Sequence, residues 1–261
     1  MTQPKTVLIT GASGGIGLEL SRLCAERGHD LVLVARGHER LKATAHDFED
    51  IYNVKVVAIE QDLSEAGAAT KLAKRLDKEG IQIDALINNA GFGLGGRFDH
   101  QDIKPLEAMM QVNMATVTDL TRLLVPGMVE RGYGRVLNLA STAAFLPGPY
   151  MAVYYATKAY VLSFSQAIAQ ELQGTGVTVT ALCPGPTKTH FAAAAKMQNS
   201  RLFSGHLMSA AIVARAGYDG MMAGKEVVVP GASNKLLITI SRFLPRSILA
   251  RMARRVQDPS S

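Results

Sequence analysis

Short apolar runs alternate along the chain with longer stretches whose apolar residues recur every three to four positions. The runs cover residues 6–9, 31–34, 54–59, 83–87, 136–139, 177–182 and 227–229. Most are continuous rather than alternating, which is the pattern of strands buried on both faces of a parallel sheet. Between them, residues 15–27 carry Ile16, Leu20, Leu23 and Cys24 at helical spacing. Residues 63–79 place Ala69, Leu72, Ala73 and Leu76 on one stripe, and further helices are expected over 106–125 and 152–174. Repeated strand–helix units joined by right-handed crossovers predict a three-layer α/β domain around a doubly wound parallel sheet. No linker, repeat or low-complexity segment interrupts the pattern. Residues 1–230 therefore read as one domain, with 231–261 as its C-terminal helical extension.

Composition narrows the class. Of 261 residues, 48% are hydrophobic and 19% charged, too apolar for a disordered chain and enough for a sizeable core. Two cysteines, Cys24 and Cys183, do not make a disulfide scaffold and suit a reducing compartment, so the cytoplasm is expected. The apolar run at residues 7–10 is too short for a signal peptide. No window of ~20 apolar residues free of charge predicts a membrane span. The net charge of +6 is concentrated: from Pro230 onward there are six basic residues and one acid, and the rest is nearly neutral. A nucleic-acid-binding fold usually carries its basic face within the fold, so no nucleic-acid partner is expected. After Leu236, Leu237, Ile238, Ile240 and Phe243, residues 246–256 read as a basic amphipathic helix. Ile248, Leu249, Met252 and Val256 share one face, and Arg251, Arg254 and Arg255 lie largely elsewhere. Such a segment can touch an anionic membrane surface, cover a substrate pocket or contact another subunit.

Chemistry enters with the first loop. Thr10-Gly11-Ala12-Ser13-Gly14-Gly15-Ile16-Gly17 follows the first run and opens the first helix. Glycines at 11, 15 and 17 allow a tight turn and close approach to a pyrophosphate, which the helix N-terminus then faces with free N–H groups. No Lys-Ser/Thr follows, so the loop is not a P-loop. The second strand ends at Ala35-Arg36. A carboxylate there would hold a ribose 2′-hydroxyl and favour NAD, whereas a guanidinium can hold a 2′-phosphate bidentately and favours NADP. Arg40, one helical turn on, assists or lies in a surface ion pair. Asp62 accepts from an adenine amino group or caps the turn before Ser64.

Tyr154 and Lys158 lie four apart on one predicted helix, hence on one face, with Tyr155 about 100° away. A phenol needs help to exchange protons near neutral pH, and a nearby ammonium favours the phenolate. Ser141 ends the fifth strand, where doubly wound sheets form their ligand crevice, and can hold a carbonyl oxygen that Tyr154 protonates. Asn113 places a polar amide inside a helical stretch, for the site or for a bond to backbone. Phe191 to Lys196, with Asn199, Ser200 and Gly205, suggests a mobile lid. Phe92, Leu94 and Phe98 with Gly93, Gly95 and Gly96 form a second rim. Phe145, Leu146, Pro147 and Met151 favour an apolar ketone or aldehyde. The histidines show no metal-ligand spacing, and His190 reads as a bystander.

These motifs together resemble the short-chain dehydrogenase/reductase family in its compact single-domain branch. The matches are Thr10-Gly11-x3-Gly15-x-Gly17, Asp62-Leu63, Asn88-Asn89-Ala90-Gly91, Asn113, Ser141, Tyr154-x3-Lys158 and Pro184-Gly185 followed by Thr189. The resemblance implies a Rossmann fold and hydride transfer between NADP(H) and a carbonyl or secondary alcohol. It implies Tyr154 as general acid or base, Lys158 lowering its pKa and binding ribose, Ser141 orienting substrate and Asn113 supporting a water relay. Asn89, Ala90 and Gly91 would line the adenosine-ribose side, with Pro184, Gly185, Thr187 and Thr189 at the nicotinamide half and phosphates. It also implies a homodimer or homotetramer. Two rivals stay open: a dinucleotide-binding regulator without turnover, and a membrane-surface adaptor using the tail.

Overall fold

The computed structural model describes residues 5–197, 200 and 207–257. In chain order its elements are β1 (Thr6–Thr10), α1 (Gly15–Glu26), β2 (Asp30–Ala35), α2 (His38–Tyr52), β3 (Val56–Glu60), α3 (Ala68–Lys78) and β4 (Ala85–Asn88). There follow α4 (Ile103–Met110), α5 (Thr116–Glu130), β5 (Gly134–Leu139), α6 (Ala152–Glu171), β6 (Val177–Leu182), β7 (Thr187–Lys188) and α7 (Phe191–Ala194). The last are β8 (Met208–Ser209), α8 (Ala210–Met222), β9 (Val227–Val228), α9 (Ala232–Ser241) and α10 (Arg246–Gln257).

Seven strands form one parallel sheet in the order β3-β2-β1-β4-β5-β6-β9, the doubly wound arrangement expected from the sequence. Alternate residues of each strand face opposite layers. Val7, Ile9, Leu31 and Leu33 pack with Leu20, Phe48 and Met221 under α1, α2 and α8. Leu8, Val32, Val34 and Leu86 pack with Leu72, Leu120 and Val112 under α3 and α5. Both faces are apolar, which is why the strands read as continuous runs. The direction of winding reverses between β1 and β4, so the carboxyl ends of those strands open onto the crevice.

Three helices differ from their sequence outlines. The third starts at Ala68 rather than 63, because the Asp62 carboxylate accepts from the Ser64 N–H (2.9 Å) and hydroxyl (2.7 Å) and Gly67 is left-handed. The stretch expected as one helix over 106–125 is two, joined by a π turn at Gln111–Ala115 that contains Asn113. The Asn113 amide accepts from Phe92 N–H at 3.1 Å and donates to Phe92 C=O at 2.9 Å, a reciprocal pairing across 21 residues of sequence beside which the extra residue of the π turn sits. The helix expected to reach residue 174 ends at Glu171. In the tail, α10 forms as expected but docks differently. Leu249 and Gln257 are buried, while Met252 and Val256 stay exposed. The docked stripe runs at steps of four, so half of the expected apolar face points outward.

Candidate active site

A cavity of about 420 Å³ lies at the carboxyl ends of β1, β2, β4, β5 and β6. A cleft of about 480 Å³ sits at the opposite end of the sheet, around Thr6, Asp30 and Asp84, and holds none of the motif residues. Its two acids are engaged in local structure: Asp84 accepts from Thr6 N–H and Asp30 from Lys55 N–H.

On the β1–β4 side, backbone builds the cavity. Gly11, at φ 67°, turns the chain off β1, and a Cβ there would meet the Asn89 amide at 2.8 Å and Ala90 Cα at 2.9 Å. Thr10 braces this approach. Its hydroxyl accepts from Asn89 and Ala90 N–H (3.0 and 2.9 Å), while the Asn89 amide donates to the carbonyls of Thr10 and Gly11. Ser13, Gly15 and Ile16 line the wall. No side chain caps the start of α1, which leaves its first N–H groups for a ligand. Thr189 reaches across from the β6 side to lie over Gly15. Arg36 is exposed at the end of β2, lines the cavity and forms no ion pair among the described residues. This donor set fits a dinucleotide carrying an extra phosphate: a helix N-terminus for the pyrophosphate, and a free guanidinium one strand away.

On the β5–β6 side, side chains build it. Ser141 continues from β5 in extended backbone. Its hydroxyl accepts from Ala143 N–H and donates to Pro184 C=O. Tyr154 and Lys158 share one face of α6, and the Nζ stands 5.8 Å from the phenol ring centre. Ser141 and Tyr154 line the same cavity, and Lys158 donates to Leu139 C=O at 2.6 Å. Asn113 itself is buried behind this centre and donates to Thr157, which donates to Tyr154 C=O. Gly91 admits both groups: a Cβ there would lie 2.9 Å from Asn113 Oδ1 and 3.5 Å from Lys158 Nζ.

The electrostatics correct one expectation. Burial pushes the Tyr154 phenol up to about 12, opposed by the nearby Ser141 hydroxyl. Burial also pushes the Lys158 ammonium down to about 8. Desolvation penalises the charged form of each, so in the protein alone the phenol is held protonated rather than acidified.

Of the remaining candidates, Ala90, Gly185 and Thr187 also line the cavity, as does Pro184. Gly17, Arg40, Asp62 and Leu63 do not. Gly17 packs beneath Gly11 and Asn89, and the Arg40 guanidinium lies against Gly14. Asp62 serves the Ser64 turn, its pKa lowered by that turn and by the charge of Arg36. Leu63 is core, and its carbonyl accepts from Thr116. His190 lines the cavity, against the expectation of a bystander, and so does Tyr155. Phe191 packs on Tyr154 with ring centres 5.2 Å apart. The two expected rims are joined, Gly95 N–H donating to Ala195 C=O at 2.9 Å. Asn199 and Gly205 of the expected lid lie outside the described residues. Thr10 was legible only as a motif member. Its role as brace follows from the 77-residue separation it spans to Ile87.

Among the described residues, no cluster of His, Cys, Asp or Glu is placed to hold a metal ion, and no helix is long and apolar enough to cross a membrane.

A glycine cradle, a free guanidinium and a Ser–Tyr–Lys set around one crevice are the arrangement of a dinucleotide-dependent oxidoreductase. The short chain dehydrogenase model matches residues 5–200, and the chain belongs to that family. It is 36% identical over 181 residues to the ketoacyl reductase HetN of Nostoc, covering 69% of this chain and 63% of that protein. It is 37% identical over 180 residues to the NADP-dependent 3-hydroxy acid dehydrogenase YdfG of Salmonella typhi, covering 69% and 71%. A short-chain dehydrogenase from Sphingobium yanoikuyae, solved in complex with NADPH, superposes with a TM-score of 0.82 at 34% identity, covering 92% and 94%.

Proposed function

We propose that the protein is an NADP(H)-dependent oxidoreductase interconverting a carbonyl compound and its secondary alcohol, with an apolar substrate. The observation that carries this reading is that Ser141, Tyr154 and Lys158 line the same cavity as the glycine cradle and Arg36, with the Lys158 Nζ 5.8 Å from the Tyr154 ring centre. The bound dinucleotide supplies the hydride. Gly11, Ser13, Gly15 and Ile16 hold its pyrophosphate, Arg36 its 2′-phosphate, and Asn89, Ala90 and Gly91 frame its ribose side. Pro184, Gly185, Thr187 and Thr189 close over its other half.

Ser141, its O–H turned from Pro184 C=O, and Tyr154 donate to the substrate oxygen and stabilise the charge that develops on it. Tyr154 then passes its proton to that oxygen. A phenol held up at about 12 is fully protonated at neutral pH, as an acid in the reductive direction must be. Lys158 supplies positive charge beside the phenolate left behind and bonds ribose hydroxyls. Asn113 positions α6 through Thr157. Phe92, Met151 and Phe191 give the substrate an apolar surround. The relatives named for ketoacyl reduction and NADP-dependent 3-hydroxy acid dehydrogenation support the reaction class. No observation favours a regulator without turnover.

A screen of lipophilic ketones and aldehydes with NADPH and NADH tests the reading. NADPH consumption is expected, and Tyr154→Phe should lower kcat by about 10²- to 10⁴-fold with NADPH affinity within about twofold. Tight NADPH binding without consumption across the panel would leave the regulator standing.

The protein also self-associates in this proposal, as a dimer or tetramer, and works in the cytoplasm. The outer side of α9 and α10 touches anionic membrane: Leu236, Leu237, Ile240 and Phe243 are exposed beside Lys235, Arg242 and Arg246. Light scattering reads both points. A monomer mass would exclude the first, and no adsorption to phosphatidylglycerol vesicles the second.

A further inference from the structure

The C-terminal extension meets the active site at three places. Helix α9 packs against residues Thr142–Phe145, directly after Ser141. The Asn234 amide fills the space beside Gly185, and it is fixed there by donating to Pro230 C=O at 2.8 Å. The third place is the most specific. Gln257, the last residue of α10 and 2% exposed, donates from its amide to the Tyr155 hydroxyl at 2.6 Å, across 102 residues of sequence. Tyr155 lines the cavity next to Tyr154. Its ring lies flat against Gly148 and meets the Tyr154 ring near edge-on, with centres 6.1 Å apart. The hydroxyl is thus the one end of Tyr155 not held by α6 or by the loop before it, and Gln257 holds it.

The bond is selective in its setting. The other end of the Gln257 amide, Oε1, is buried without a partner among the described residues. Turning the amide over would exchange donor and acceptor and still leave one end unpaired. A buried unpaired polar atom costs free energy, and an apolar side chain of the same length would avoid that cost. A glutamine here is therefore not explained by helix docking alone.

We infer that Gln257 is a positioning residue for substrate specificity: it fixes Tyr155 as a wall of the substrate side of the cavity, so the basic extension shapes the pocket from within. This rests on the carbonyl-reductase reading above and adds to it a residue outside the motif region. Gln257 does not touch the reacting atoms. Its effect falls on how tightly the carbonyl compound is held, not on the proton transfer from Tyr154.

The test compares Gln257→Ala, Gln257→Met and Tyr155→Phe with the wild type, using the best lipophilic ketone found for the full-length protein. Each variant should raise KM for the ketone by about threefold to tenfold, the size of one neutral hydrogen bond. The kcat and the NADPH affinity should stay within about twofold, and Tyr155→Phe combined with Gln257→Met should cost no more than either alone. Gln257→Met keeps the length of the side chain and so separates the hydrogen bond from packing. A wild-type KM in Gln257→Met, or additive effects in the double variant, would overturn the inference. Ketone affinity for the protein–NADP complex, measured by calorimetry, should move by the same ratio. That readout needs no turnover, so failure of the catalytic reading and failure of this inference remain distinguishable.

Discussion

Arg36 and Lys158 are two cations on one cavity, and they stand in opposite settings. Arg36 is exposed at the rim, where the chain leaves β2, and forms no salt bridge among the described residues, though its charge reaches Asp62. Lys158 is 4% exposed, its Nζ bound to Leu139 C=O. The rim cation presents a planar fork of N–H donors that matches a phosphate. The buried one is brought to the edge of neutrality, at about 8. Exposure suits the first to recognise a permanently charged ligand. Burial suits the second to act on a group whose charge changes during a reaction.

The largest expected effect at this pair is on recognition. Arg36→Asp removes a bidentate partner for a 2′-phosphate and puts a repelling carboxylate in its place, suited instead to a 2′-hydroxyl. The ratio of kcat/KM for NADPH over NADH should fall by about 100-fold, mostly through KM. An unchanged ratio would place the 2′-phosphate elsewhere and remove the rim cation from the comparison.

The two cations were not equally legible. Arg36 follows from local order alone: a strand, its end, and the residue next in line. The same holds for the doubly wound sheet, whose continuous apolar strands and glycine turn are written in short windows. The spacing of Tyr154 and Lys158 was also local. Their ionisation was not, because it depends on how deep α6 sits, and that depth is set by Phe191, Met151 and the 92–96 segment folding over it. Sequence spacing alone made the ammonium a help to the phenolate, whereas burial raises the phenol and lowers the amine together. Asn113 was visible as an oddity in a helix, but the π turn it occupies depends on Phe92, 21 residues away. Tyr155 looked turned aside on a helical wheel. Its ring nevertheless lines the cavity, and its hydroxyl finds a partner in Gln257, which α10 brings back across 102 residues.

Lys158 makes a smaller prediction, but its two readouts move in opposite directions. Its ammonium is charged below about pH 8 in the folded protein and neutral above it, whereas the unfolded chain keeps the proton to about 10.5. The value of kcat/KM for NADPH reports groups of the free protein, so it should fall about tenfold per pH unit above 8 as the charge is lost. In Lys158→Met that descending limb should vanish, leaving a lower and flatter profile. Over the same window the unfolded state binds more protons than the folded state, so stability contributed by this residue must rise with pH. The free energy of unfolding of the wild type, taken relative to Lys158→Met, should therefore increase between pH 8 and about 10.5, by up to about 3 kcal/mol. Turnover falling while relative stability climbs is the signature of a buried amine losing its proton. If Lys158→Met keeps the descending limb, some other group sets it and the contrast between the two cations fails.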